Sequence, residues 1–473
     1  MKSRLKFLRL MRAEEYMYEQ MHEECGVFVA VGVADAAEVV SCALTHLQHR
    51  GQESAGVAAG CSGRLRCVKG LGLVSEVLGG EDVIMPSGDI AVGHVRYSTS
   101  GGNNLANVQP ICVNTLRGRL AVVHNGNLSN AALLRRELEG SGAIFQGTAD
   151  TELIACLIAR AQIKCAALDK AVEQVLPRLE GAFCLAVTDG STLVAARDTH
   201  GFRPFCIGEG RDGGVLISSE SCAIEAVGGK VIRDIMPAEL LVVRNSEVER
   251  RRYSAAQERA ACVFEYIYFA RPDSVIDGQS VYHSRYLAGV TLAKQFTPIA
   301  DAVVGVPDSG LPAAEGYAAQ SGIPYCNGLV KNRYIGRTFI QPTQGMREGA
   351  VRLKLSPLKS EIEGKRIVLV DDSIVRGTTM RRIVAMLRSA GVKEIHLAIT
   401  SPPFKHACYY GTDVPEEGQL PANKYTIEQM RQMLGADSLT FLDVNRLEEI
   451  TPNCAHALCK ACFDGHYPQP PKN

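Results

Sequence analysis

RIVLVDDSIVRGTT (residues 366–379) decides how the second half of the chain folds. Residues 367–370 are apolar and read as a strand that delivers Asp371 and Asp372 to its carboxyl end, where parallel α/β sheets keep their ligands. Gly377, Thr378 and Thr379 then open a helix. Unpaired backbone N–H groups at a helix start, the aligned peptide dipoles and two hydroxyls make an anion site suited to a phosphomonoester. Carboxylates at its rim accept hydrogen bonds from ribose hydroxyls or hold water on Mg²⁺. Asp-Asp alone reads as a pair of helix-capping acids. The complete strand–DD–GTT–helix unit favours the ligand site.

Upstream, residues 302–306 read as a second strand running into Pro307, Asp308, Ser309 and Gly310. Downstream, a helix is expected over Thr378–Ser389 and a third strand over 395–400. Regular strand–loop–helix units are the mark of a parallel sheet. Gly and Ser in the 307–310 loop let backbone amides approach a diphosphate closely. Lys331, Arg333, Arg337, Arg347, Arg352 and Lys354 lie on a stretch broken by Gly and Pro. That pattern fits a basic flap that neutralises a leaving diphosphate and excludes water, or else a solvated loop.

The charged stretch 247–259 reads as a domain boundary. Before it, HVRYST, LAVVHNG, AFCLAVTDG, TLVAARD and VLISSE are strand-like, and helical spacing covers 130–140 and 151–161. These strands cluster without regular strand–helix alternation, so a mixed layered domain is expected, beginning with a buried strand after Cys25. The Pro- and Lys-rich end of the chain reads as a loose tail.

At 473 residues the chain has room for about three structural units or two large ones. Lys plus Arg (51) equals Asp plus Glu (51), which argues against broad nucleic-acid binding but leaves room for a local basic pocket. No run approaches the roughly 18 apolar residues of a membrane helix. Sixteen cysteines scattered along so long a chain do not read as a secreted disulfide framework. Residues 1–24 are charged throughout and lack the apolar core of a secretory signal. Reduced thiols or metal ligands in a cytoplasm are therefore expected.

VLVDDSIVRGTT resembles the phosphoribosyl-diphosphate signature of type I phosphoribosyltransferases, in the form found in the glutamine phosphoribosylpyrophosphate amidotransferases. EYIYFARPDS (265–274), GVPDSG (305–310) and KNRYIGRTFIQPTQ (331–344) extend the likeness, which runs from Cys25 to Tyr467. In the first half, CGVF (25–28), HVRYSTSG (94–101), HNGNL (124–128) and GTADTE (147–152) resemble class II glutamine amidotransferases, members of the N-terminal nucleophile hydrolases. The resemblance implies a leader over 1–24, an αββα glutaminase sandwich over 25–255 and a phosphoribosyltransferase domain with a central parallel sheet over 256–473. It implies an entry enzyme of purine synthesis: ammonia released from glutamine passes through a channel and displaces diphosphate from phosphoribosyl diphosphate. A cytoplasmic homotetramer inhibited by purine nucleotides goes with that family.

Residue roles follow by the same resemblance. Cys25 is the nucleophile, and if the leader is removed its α-amino group, of ordinary pKa about 7.7–8.0, serves as base. Asn125 and Gly126 form the oxyanion hole. Arg96 holds the glutamine carboxylate and Asp150 its α-ammonium. Taken singly, an arginine on a strand edge, an Asn-Gly turn and a helix N-cap are ordinary alternatives for these positions. Asp371 and Asp372 bind the ribose hydroxyls, Ser373, Arg376, Gly377, Thr378 and Thr379 the phosphate, and Lys331 and Lys354 add positive charge. Ser309, Asp371 and Asp372 are the Mg²⁺ positions, with one ion per subunit. Tyr97, Tyr268 and Arg271 are candidates for relaying occupancy between the sites.

Cys459 and Cys462 form a C-x-x-C unit, which alone suits redox, zinc or iron–sulfur chemistry. The resemblance implies a [4Fe–4S] cluster on Cys262, Cys408, Cys459 and Cys462, with Cys454 a spare thiol. Neither half-reaction needs an electron, so the cluster is expected to be a structural clamp. Other class II amidotransferases lack the DDSIVRGTT unit, and a phosphoribosyltransferase-fold sensor would not need the glutamine-site residues. Of these alternatives to a two-site enzyme, a degenerate copy that binds both ligands without turnover would keep both sets.

Overall fold

GVFVAV at Gly26–Val31 has no polar face and is buried along its whole length, which only a strand between two cores permits. Val27, Val29 and Val31 point into one core, while Phe28 and Ala30 point into another beneath the helix Ala36–His46. The computed structural model describes residues 25–97, 104–332, 355–454 and 458–470. The expected leader, residues 1–24, lies outside them.

In chain order, the strands of the two antiparallel sheets are β1 (Gly26–Val31), β2 (Ser54–Cys61), β3 (Arg64–Leu71), β4 (Ile90–Arg96), β5 (Ile111–Thr115), β6 (Gly118–Leu128) and β7 (Gly181–Thr188). They continue with β8 (Leu193–Arg197), β9 (Cys206–Glu209), β10 (Val215–Ser218), β11 (Lys230–Asp234), β12 (Glu239–Arg244) and β13 (Glu247–Arg252). One sheet has the order β11-β9-β10-β1-β4-β2-β3 and the other β13-β12-β8-β7-β6-β5. Val27, Val92, Val123, Ala186 and Leu241 fill the space between them. Helix α1 (Ala36–His46) covers the first sheet. Helices α2 (Ala131–Gly140), α3 (Asp150–Lys164) and α4 (Leu168–Val175) cover the second through Leu134, Ile154, Ile158 and Val172. The expected αββα sandwich is present.

Parallel strands β14 (Ala302–Gly305), β15 (Arg366–Asp371), β16 (Glu394–Ile399) and β17 (Ser438–Phe441) make the third sheet in that order. Helices α5 (Val281–Gln295) and α6 (Gly310–Ser321) pack on Val368 and Val370, and α7 (Thr378–Ser389) packs on Ile367 and Leu369. The four apolar β15 side chains, Ile367 to Val370, are therefore buried on one face or the other, as parallel sheets require.

The charged stretch read as a boundary opens with a strand: Glu247–Arg252 is β13, an edge strand paired in register with β12. Its charges are suited to an edge, with Arg251 2.7 Å from Asp169 and Arg250 2.9 Å from Glu239. One expectation is corrected: the chain end is not loose as far as Gln469, whose side chain accepts from Gly181 N at 2.9 Å and whose carbonyl accepts from the Tyr410 hydroxyl at 2.6 Å. The fourth parallel strand, Ser438–Phe441, was not anticipated, because its four residues carry too short a pattern.

Candidate active sites

β1, β4, β6 and the start of α3 converge on a small cleft lined by Cys25, Arg96, Gly126 and Asp150, together with Tyr97, Gln109 and His124. Cys25 stands immediately before β1, its Sγ 3.6 Å from the Tyr97 carbonyl. Its own carbonyl accepts from Arg50 Nε at 3.1 Å. Arg50 is completely enclosed and held by Glu220 at 2.6 Å and Glu265 at 2.7 Å. A charge so deeply buried is retained only when paired on every side.

Arg96 ends β4 and is buried, not an exposed edge residue. Asn125 and Gly126 lie within β6, opposite Cys184 and Phe183, so they are not a turn. Gly126 has φ 142°, and a Cβ there would sit 2.1 Å from the Ala182 carbonyl oxygen. Only glycine meets both demands. Asn125 does not line the cleft; its side-chain amide reaches Ser219 Oγ at 3.5 Å, a weak contact.

Asp150 is the first residue of α3, where the helix dipole favours a carboxylate. It accepts from Leu128 N at 3.0 Å and lies 3.3 Å from His124 Nδ1. Burial alone would raise the carboxyl, but His124 and these hydrogen bonds hold it below the usual carboxylate range. Burial alone would lower the His124 imidazole, but the Asp150 charge overrides it and pushes the imidazole up. His94 differs: burial and then Arg96 push it down to about 3, so it is neutral, its Nε2 3.1 Å from the His124 carbonyl. Gln109 pairs with the His124 backbone through both ends of its amide, at 2.6 and 3.2 Å. Arg50, Gln109 and His124 were not among the expected site residues. His124 beside Asn125 was the only local hint, since the others are distant in sequence.

At the second site, Asp371 and Asp372 end β15 and Gly377 (φ 80°) precedes α7. Ser309 donates to Asp372 Oδ2 and Ser373 donates to Asp372 Oδ1 at 2.5 Å. The 305–310 loop closes on the strand end: a Cβ on Gly310 would lie 2.6 Å from the Val370 carbonyl. Burial and the neighbouring Asp372 charge push the Asp371 carboxyl well up. Burial raises Asp372 too, against the opposing hydrogen bonds from Ser309 and Ser373 and the charge of Arg285. Burial pushes the Arg285 guanidinium down to about 10, and it donates to the carbonyls of Tyr266, Tyr268 and Ala270 at 3.0, 2.7 and 2.6 Å. Lys331 pairs with Asp308 of the loop. Arg376, Thr378 and Thr379 follow the two acids on the same turn and helix start. Lys354, with the basic stretch from residue 333 onward, lies outside the described residues.

The four expected cluster thiols also gather. Cys262 and Cys459 are opposite each other in a short parallel ladder, Ala261–Cys262 against Leu458–Cys459. Cys462 follows on the helix Ala461–Asp464, its carbonyl accepting from Lys405 N and His406 N at 3.0 and 3.1 Å, and Cys408 accepts from Tyr410 N at 3.4 Å. Burial, then the charges of Cys408, Cys262 and Cys459, push the Cys462 thiol well up. Cys454 is engaged elsewhere, 3.6 Å from both the Tyr266 hydroxyl and the Asp277 carbonyl. Among the described residues no group of three or more His, Cys, Asp or Glu is set to hold a metal ion. No described helix is long and apolar enough to cross a membrane.

Residues 94–226 match the glutamine amidotransferase domain family and residues 290–412 the phosphoribosyl transferase domain family. Amidophosphoribosyltransferase of Archaeoglobus fulgidus is 45% identical over 427 residues, covering 90% of this chain and 93% of the relative. That of Bacillus subtilis is 45% identical over 455 residues, covering 95% and 94%. A chloroplastic form from Arabidopsis thaliana is 42% identical over 466 residues, covering 98% and 83%. Among solved structures, the allosteric regulatory enzyme of purine biosynthesis superposes with a TM-score of 0.89 at 44% identity, covering 95% of this chain and 97% of that one. Glutamine phosphoribosylpyrophosphate amidotransferase from B. subtilis, complexed with ADP and GMP, gives 0.88 at 44% identity, covering 95% and 98%. With both domains matched and the likeness carried across nearly the whole chain, the protein belongs to the amidophosphoribosyltransferase family, the glutamine-dependent enzymes of the first step of purine biosynthesis.

Proposed function

We propose that Cys25 hydrolyses glutamine in the cleft between β4, β6 and α3, and that the ammonia travels within the protein to phosphoribosyl diphosphate held at Asp371, Asp372 and α7. The observation that carries this reading is the convergence of Cys25, Arg96, Gly126 and Asp150 on one cleft, in the same chain as the strand–DD–GTT–helix unit. Arg96 takes the α-carboxylate of glutamine and Asp150 its α-ammonium, so the two charges fix the amide over Cys25 Sγ. With the leader removed, the Cys25 α-amine takes the thiol proton and later gives it to the departing ammonia. The tetrahedral oxygen is received by the backbone N–H of Gly126 and by Asn125, whose amide must turn from Ser219 to do so. The phosphoribosyl loop holds the 5-phosphate on the α7 N–H groups and the ribose hydroxyls on the two acids.

Asp371 and Asp372, each raised by burial in a shared oxygen-rich niche, suit a hard divalent cation, and Ser309 adds an oxygen. Bound there with the substrate, Mg²⁺ supplies charge for the leaving diphosphate. Lys331 and Lys354 add to that charge. Cys262 and Cys459 face each other, and the charges of Cys408, Cys262 and Cys459 all act on Cys462, so the four thiols are a thiolate set of the kind that takes a [4Fe–4S] group. Such a group would staple the C-terminal segment to Cys262, and no step of the reaction passes through it. We extend to this chain the family's homotetramer and its inhibition by purine nucleotides, the second supported by the ADP and GMP bound in the B. subtilis relative. We also take the domain boundary to fall near residue 255, just past β13, and the compartment to be the cytoplasm.

The test is glutamate release by anaerobically purified protein, with and without phosphoribosyl diphosphate and Mg²⁺. Strong stimulation is expected. Release indifferent to the second substrate would refute the coupling, and none in either condition, with the leader gone by mass, would refute the enzyme reading.

A further inference from the structure

The two sheets of the sandwich end side by side, β3 as one edge and β5 as the other. Cys67 on β3 pairs with Ala58, Cys112 on β5 pairs with Ala121, and both alanines lie in the core between the sheets. The two cysteines are half-buried against that core. Side-chain ties cross the same gap on either side of them. Lys69 Nζ donates to the carbonyls of Val108 and Pro110 at 2.5 and 3.2 Å, and Arg119 donates to the Leu65 carbonyl at 3.4 Å. Residue 67 is thus held midway between two clamps, facing residue 112, near enough for each thiol to shift the titration of the other.

We propose that Cys67 and Cys112 form a thiol–disulfide modification site, which a small-molecule disulfide such as oxidised glutathione converts into a covalent bridge between the two sheet edges. The facing Cys112 holds the Cys67 thiol below the ordinary range, with Lys69 and Arg119 adding to it against burial. Cys67 is therefore the attacking sulfur. Its thiolate displaces one glutathione thiolate to give a mixed disulfide. Cys112 then loses its proton and attacks the Cys67 sulfur, expelling the second glutathione. One disulfide is reduced, two thiols are oxidised, and their two protons end on the two released glutathiones. The bridge would fasten β3 to the segment that carries Gln109, three residues before Cys112, to its contacts with His124. Disulfides that close long loops restrict the unfolded chain most, and this one would span residues 67–112.

The test equilibrates the full-length protein anaerobically with graded ratios of reduced to oxidised glutathione, alkylates the remaining thiols, and maps peptides without reduction. A Cys67–Cys112 linked peptide is expected to accumulate as the poise becomes oxidising, while exposed Cys42 and Cys61 take up glutathione singly. The oxidised wild type is expected to melt several degrees above the reduced form, and a Cys67→Ser/Cys112→Ser variant to lose that difference. Full alkylation of both thiols at the most oxidising poise, stable glutathione adducts on each, or a link from either to a different cysteine would overturn the proposal. The peptide map reads the wild type directly, so it stands even if the double variant fails to fold.

Discussion

The glutamine cleft and the phosphoribosyl loop handle negative charge in opposite ways. Asp150 has its countercharge built in, His124 at 3.3 Å, and its carboxyl is held low. Asp371 and Asp372 are stacked beside each other with their carboxyls pushed up, and the nearby guanidinium of Arg285 is spent on backbone carbonyls. The first site carries its countercharge within the protein, whereas the second is arranged for positive charge to arrive with its substrate. The contrast teaches that one chain can balance the charge of one cleft internally and leave that of another dependent on what binds.

The largest effects should separate the halves cleanly. Cys25→Ala is expected to abolish glutamine-dependent phosphoribosylamine formation, a loss of about 10³-fold or more, while synthesis from added ammonium salt continues. Asp372→Asn is expected to cost about 10²-fold or more with either nitrogen source and to leave unstimulated glutamate release intact. Equal loss of both activities in both variants would erase the distinction between the sites.

The two site glycines sharpen the comparison on stability. Gly126→Ala sets a Cβ 2.1 Å from the Ala182 carbonyl at φ 142°, with fixed backbone as its neighbour, and is expected to destabilise by about 2–4 kcal/mol. Gly377→Ala has φ 80° but nothing closer than Leu434 at 3.5 Å, so only the backbone preference is lost, about 1 kcal/mol. Denaturant midpoints of the two variants give the order directly.

Iron content and melting temperature measured before and after air exposure test the thiol cluster. Loss of iron is expected to lower the melting point, because metal–thiolate bonding energy is folding energy. An unchanged melting point would dismiss the clamp.

The smallest effect belongs to the His124–Asp150 pair. The folded-state pKa of His124 is raised, so its contribution is full below the ordinary histidine value, about 6.5, and fades as pH rises through the raised value. That of Asp150 is lowered, so its contribution is full above the ordinary value, about 3.9, and fades as pH falls through the lowered one. The stability difference between wild type and His124→Gln should thus be greatest between about pH 4 and 6.5 and shrink on the alkaline side. A difference independent of pH would mean that the pair carries no charge.

Much of this was legible before folding was considered. The 366–379 unit is local: its strand, acids, glycine and helix start are consecutive, and α7 falls on the expected Thr378–Ser389. The strand runs around residues 94, 124, 182, 192 and 215 also appear where expected, because alternation and β-branching are local signals. Asn125-Gly126 could not be resolved this way, since the dipeptide favours a turn and only pairing with β7 keeps it in a strand. That the charged run from residue 247 begins as a strand was hidden for the same reason, as an edge strand and an irregular segment share a polar composition until a neighbour is supplied.

The sequence by itself determined the two domain types, and it carried the expected nucleophile, the phosphate-loop unit and the thiols available to a cluster. The phosphate loop and the segment after Cys25 are written in consecutive residues, whereas the thiols are spread over residues 262–462. Only the tertiary structure decided what surrounds them: Arg50 on the Cys25 carbonyl, Gln109 on the His124 backbone, Arg285 beneath the two acids, and Cys67 facing Cys112. Those partners come from distant segments. Burial, charge pairing and pKa are properties of a neighbourhood, and a neighbourhood exists only once the chain has folded.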